Sequence, residues 1–188
     1  LKEHSALLKF FLPNFEDMVD PEYNFETDTN SPNRGNKHRW RHDWYAHQFF
    51  DEPIFDGMLI SKAVFGPTAE KHVLEAGGVH NFVNLDPQIP IMGDCGAFTY
   101  LLEEKPVYSV QDVLDYYHGF GFDYGVSLDH LAFVNVNMLE SALQRNIIKS
   151  RWWDGKTDEQ LRQERIQISL DNAREFLRLC EQQRPCFK

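Results

Sequence analysis

Apolar and polar positions along this chain fall into short blocks whose period changes. LLKFFLP, residues 7–13, is an apolar run closed by a proline and reads as a buried strand. FDGMLISKAVF, QIPIMGD and FDYGVSLDHL read as three further strands, the last ending in Asp129-His130. Between them the pattern turns helical. GPTAEKHVLEAGGV is a helix opened by Pro67-Thr68 and closed by Gly77-Gly78. SVQDVLDYYHGFG starts at a Ser109 cap and sets Val113, Leu114 and Tyr117 on one face. The last long segment opens with a Thr157 to Gln160 capping box, after which Ile166, Leu170, Ala173, Leu177 and Cys180 mark an apolar stripe. KHRWRHDWYAHQFFDEP sets Trp40, Trp44 and His47 at helical spacing and stops at Pro53. Residues 20–37 hold turn formers and almost no aliphatic side chains, the composition of a long loop.

Strands alternating with helices predict an α/β fold with a parallel sheet. No GxGxxG follows the first strand, which lowers the case for a dinucleotide site. In a parallel barrel the active site lies past the carboxyl ends of the strands, where Asp94 and Asp129 both fall. Eight βα units need about 250 residues, so 188 residues correspond to roughly half a barrel or to an open sheet.

Composition narrows the classes. The chain is 42% hydrophobic and fits one domain. A net charge of −10 argues against a surface that is a nucleic-acid footprint throughout, so polyanion contact must be local. Arg34, Lys37, Arg39 and Arg41 form such a local strip, interleaved with Trp40 and Trp44, and read either as a solvated face or as a phosphate-backbone contact. KSRWWDGK repeats the mixture. His38 and His42 share a helical face without an HExxH glutamate, so no metal is expected there. Cys95, Cys180 and Cys186 suggest neither a disulfide framework nor a zinc site, and reduced thiols with no signal or membrane segment give the expectation of a cytoplasmic protein.

The stretch IPIMGDCGAFTY holds the candidate chemistry. Two acids at successive strand ends, one in a glycine-framed turn, could bind a metal, exchange protons or recognise a polar heterocycle; equally, each could cap the helix that follows. Phe98 reads as core or as a stacking surface for a planar base, and Cys95 as a small buried thiol.

PIMGDCGAF resembles the Asp-Ser-Gly-Gly-Phe signature of the tRNA-guanine transglycosylases, and FDYGVSLDHL resembles the strand of that family ending in a base-recognising aspartate. The resemblance spans about residues 55–135, and FDGMLISKAVF and YYHGFGFDYGVSLDH look closer to the DNA-directed 7-deazaguanine branch. It implies a (β/α)8 barrel, with residues 1–188 as its N-terminal half and 20–37 as a loop insertion. It also implies exchange of guanine for a 7-deazaguanine, such as a preQ-type precursor, at C1′ of DNA or tRNA. Asp94 would be the general acid/base, with Asp129, Phe98, Gly96 and Cys95 around the base. Cys95 stands where the family has serine, Ala97 for its second glycine and Thr99 for its glutamine. The family's nucleophilic aspartate and CxCxxC zinc segment find no match before Lys188, so the expectation is a piece of a longer enzyme, inactive alone, without a cofactor of its own. Partner proteins of a DNA-modification system are implied with it. Two other readings stand beside this one: a metal-dependent barrel hydrolase using Asp94, Asp129 and His130, and a non-catalytic half-length paralogue that binds nucleic acid or a partner.

Overall fold

The computed structural model describes residues 8–14, 17–32 and 42–188 of the chain. Four strands form a parallel sheet: β1 (Phe11–Asn14), β4 (Gly57–Ser61), β5 (Ile91–Asp94) and β6 (Tyr124–Gly125), side by side in that order. A two-stranded antiparallel ribbon, β2 (Met18–Val19) with β3 (Trp44–Tyr45), lies between β1 and β4 in sequence. Helices α1 (Lys62–Ala76) and α2 (Val79–Phe82) join β4 to β5, and α3 (Val110–Phe120) joins β5 to β6. After β6 come α4 (Val136–Gln144) and the long α5 (Asp158–Gln183).

Each main-sheet strand neighbours the next one in sequence, with no reversal of order. Among the described residues the sheet therefore has no switch point of the doubly wound kind. Register places Ser61 opposite Asp94 and Gly93 opposite Gly125. Period 2 then divides the faces. Met58, Ile60, Ile91 and Gly93 face the helices, and a Cβ on Gly93 would lie 2.2 Å from the Tyr117 ring of α3, so glycine there seats that ring against the sheet. The other face carries Phe11, Leu59, Met92 and Tyr124, ending in Ser61 and Asp94. The rings of Phe11 and Tyr124 meet at 6.2 Å, although strands three apart in a flat sheet would be about 14 Å apart. The sheet is therefore curled about this face. After α5 the chain returns to the sheet: Lys188 N–H donates to Asp123 O and Gly125 N–H to Lys188 O, the pattern of a parallel partner opposite Tyr124.

The main core packs the helices on the sheet and is rich in rings, among them Phe65, Phe82, Tyr116, Tyr117, Phe122 and Phe176. A second cluster, built on Val134, Leu139, Ala142, Ile148, Trp153 and Leu161, holds the α4 segment. None of the helices among the described residues is long and apolar enough to cross a membrane.

Several expectations need correction. The helix over 37–53 does not form across its described part. Trp44 and Tyr45 pair with Val19 and Met18, Tyr45 is buried and Trp44 exposed, and a short 3₁₀ turn follows at Ala46–Phe49. Strand alternation of aromatic residues outweighed the helical spacing. The second strand ends at Ser61 rather than Phe65, because Lys62–Phe65 already turn into α1 before the break at Gly66. The fourth strand is two residues long, which leaves Asp129-His130 in the loop beyond it. The stripe on α5 is rotated: its buried residues are Leu161, Arg165, Phe176 and Leu179, while Leu170 and Leu177 are exposed. The caps at Ser109 and Thr157 and the glycine stop at Gly77 are as expected.

Candidate functional site

At the carboxyl edge of the curled face, β4 and β5 end level with each other. Ser61 Oγ donates to Asp94 Oδ2 at 2.7 Å, and the Gly96 N–H donates to the same oxygen at 3.0 Å. Among the described residues nothing bonds Oδ1 of this half-buried acid, so one oxygen is fixed and the other is available. The chain then turns through Gly96 in the left-handed region, at φ 78°. A Cβ on Gly96 would come within 2.6 Å of Ala63 Cβ, so this glycine permits a close approach to the first turn of α1.

A 3₁₀ turn, Ala97–Tyr100, follows and sends neighbouring side chains in opposite directions. Phe98 is 73% exposed, so the core alternative fails and its ring faces solvent on the turn that follows Asp94. Cys95 and Tyr100 point inward and are fully buried. Cys95 Sγ donates to Asp129 Oδ1 at 3.0 Å; the Tyr100 hydroxyl contacts both Cys95 Sγ and the Asp129 carbonyl oxygen at 3.0 Å. Burial, then the Asp129 carboxylate, pushes the Cys95 thiol up to about 12, so it stays protonated as a donor. Burial likewise raises Tyr100 above the ordinary phenol range. The buried thiol thus lies beneath Asp129 and holds one of its carboxylate oxygens.

Neither acid is a helix cap. Asn135 caps α4 through its side chain, and the 3₁₀ turn after Asp94 begins at Gly96 without a side-chain cap. His130 is no partner for the acids either. Its Nε2 lies 3.1 Å from Glu103 O and its Nδ1 3.4 Å from Arg165, and burial followed by the Arg165 charge lowers it to about 4. That arrangement overturns the metal triad of Asp94, Asp129 and His130. Among the described residues no group of three His, Cys, Asp or Glu could hold a metal ion.

Arg165, reaching in from α5, is the most buried cation. It donates to Leu101 O at 2.8 Å, Glu103 O at 2.9 Å and Leu131 O at 3.1 Å, tying together the loops that follow Asp94 and Asp129. Burial lowers its guanidinium to about 10. Ser169 Oγ adds a bond from the His130 N–H at 2.9 Å. Sequence reasoning missed Ser61, Tyr100 and Arg165. Ser61 was findable, because it ends its strand as Asp94 ends the next; Arg165 was hidden by its charge on a face read as apolar.

Arg34, Lys37, Arg39 and Arg41 lie outside the described residues, as do His38 and Trp40. The second mixed stretch is structural at its tryptophans: Trp152 Nε1 donates to Leu102 O and the buried Trp153 Nε1 to Glu140.

The chain is 39% identical over 135 residues to a DNA-guanine transglycosylase of Salmonella montevideo, a match covering 67% of this chain. Over that stretch the chain is a homologue of the transglycosylases. It spans about a third of that relative's length (32%). No family model matches the chain. Two acids beyond neighbouring strands, each held at one carboxylate oxygen, are an arrangement that can accept N–H groups and exchange a proton.

Proposed function

We propose that this chain forms the base-recognition half of a transglycosylase that exchanges guanine for a 7-deazaguanine in DNA, built on a (β/α)8 barrel of which the four parallel strands are the first half. The observation that carries the reading is the bracing of Asp94 and Asp129 at one oxygen each, by Ser61 with Gly96 and by Cys95, with Phe98 exposed on the turn that follows Asp94. The unreversed strand order, the curl that joins Phe11 to Tyr124, and the pairing of Lys188 beside β6 support the barrel.

In this reading the target base leaves its stack and lies against the Phe98 ring, at a cost of a few kcal/mol. Asp129 accepts the base N–H groups through the oxygen Cys95 does not hold. Asp94 gives a proton to the departing guanine and takes one from the entering base while its other oxygen stays on Ser61. A carboxylate nucleophile at C1′ would account for a retained configuration, and none of the described residues is assigned that role. DNA is favoured over tRNA on the name of the relative, and the protein belongs with other proteins of a DNA-modification system.

The test is exchange of labelled guanine into DNA and into tRNA by the product of the native gene. Asp94→Asn and Asp129→Ala are expected to abolish exchange while the protein stays folded. Full activity in either variant removes that residue from the site. Binding of a deazaguanine without exchange by the unmodified protein supports the non-catalytic reading instead.

A further inference from the structure

A groove runs between the 3₁₀ turn that follows Asp94, with its succeeding loop, and α4. It has a volume of about 570 Å³, within the range of small-molecule sites, and its walls include Phe98, Leu101, Met138, Ala142, Glu103 and Arg145. Phe98, four residues after Asp94, is one wall of this groove, so a base held on its ring in the proposed reaction would adjoin it. Phe133 is 55% exposed next to it, with ring centroids 6.0 Å apart and planes at 47°. Two exposed phenylalanine rings in contact would be an unfavourable surface in water without a use.

The cations point the same way. Arg151, Arg162, Arg174 and Arg178 each hold a carboxylate, but Arg145 pairs with none among the described residues. On a chain of net charge −10, an arginine without a carboxylate partner on the wall of a largely apolar groove suits a phosphate. We propose that this groove holds the nucleotide adjoining the target base on the same strand: its base on Phe133 and the outer side of Phe98, its phosphate on Arg145. Stacking of this kind tolerates any base, so the groove would position the strand without reading sequence. The proposal rests on the base-exchange reading and extends it from one nucleotide to two.

The experiment uses the native gene product and two probes: free 7-deazaguanine, and a single-stranded oligodeoxynucleotide with 2-aminopurine beside its target guanine. The expected result is quenching of the 2-aminopurine on binding. Phe133→Ala is expected to weaken oligonucleotide binding about tenfold and to relieve the quenching, with 7-deazaguanine binding unchanged. Arg145→Gln is expected to reduce the salt dependence of oligonucleotide binding by about one phosphate contact. Unaltered oligonucleotide affinity and quenching in both variants would overturn the proposal. If the protein binds 7-deazaguanine but leaves the flanking fluorophore bright, the groove assignment fails and the base-exchange reading survives; if it binds neither probe, both fail. A ribo-oligonucleotide of the same sequence bound more tightly than the DNA would assign the groove to RNA.

Discussion

Asp94 and Asp129 carry the same side chain past the ends of neighbouring strands, yet they are held by different parts of the molecule. Asp94 is the last residue of β5, and its two donors, Ser61 Oγ and Gly96 N–H, come from the adjoining strand end and from two residues ahead. Asp129 stands four residues beyond the two-residue β6, in a loop. Its donors are the inward side chains of the preceding βα unit, Cys95 and Tyr100, and its loop is clamped by Arg165 from α5. The sheet itself builds one acid's support. The other's depends on the packing of two separate loops against a helix, so it is the more easily disturbed.

The strongest way to separate the two supports is at Arg165. Arg165→Met keeps the stem but leaves the carbonyls of Leu101, Glu103 and Leu131 without their donor, and is expected to lower unfolding free energy by about 3 kcal/mol in urea. Amide exchange at residues 129–131 should accelerate far more than at 93–95. Equal acceleration would show that the two acids share one support.

The clamp also predicts a pH effect of similar size. His130 stays neutral in the fold down to about 4, whereas the unfolded chain takes up that proton near the ordinary value of about 6.5. Between those values the unfolded state binds more protons, so stability is full above about pH 6.5 and falls as pH drops towards 4, on the order of 3 kcal/mol in all. Denaturation of the wild type and of His130→Asn across that interval reads this directly. Identical slopes would mean that His130 does not drive the loss.

Tyr100→Phe removes the hydroxyl shared by Cys95 and the Asp129 carbonyl, and is expected to cost about 1.5 kcal/mol. In the proposed reaction it should weaken deazaguanine binding more than it slows exchange. Ser61→Ala is the smallest change, about 1 kcal/mol in stability, and should do the reverse by slowing exchange with little effect on binding. A reversal of that pattern would exchange the roles given to the two acids.

Much of the fold is legible along the chain because it is local. The βα alternation follows from hydrophobic period, and the caps at Ser109, Thr157 and Gly77 follow from side chains that satisfy end groups within a few residues. The same locality made Asp94 visible, framed between Gly93 and Gly96 at a strand end. Where distant segments compete with local preference, the reading slipped. The ribbon of β2 and β3 took Trp44 and Tyr45 out of a helical pattern, and the site turned α5 so that a charged residue lies on its inner face.

By itself the sequence determined that strands and helices alternate, that Asp94 and Asp129 follow successive strands, and which relative the chain resembles; these rest on periodicities and motifs a few residues long. Only the tertiary structure decided that Phe98 is exposed while Tyr100 is buried, that the buried Cys95 thiol serves Asp129, and that Arg165 binds the loops of both acids. Those contacts join residues from 29 to 64 positions apart, and no local pattern encodes which buried donor meets which acceptor until the core has brought them together.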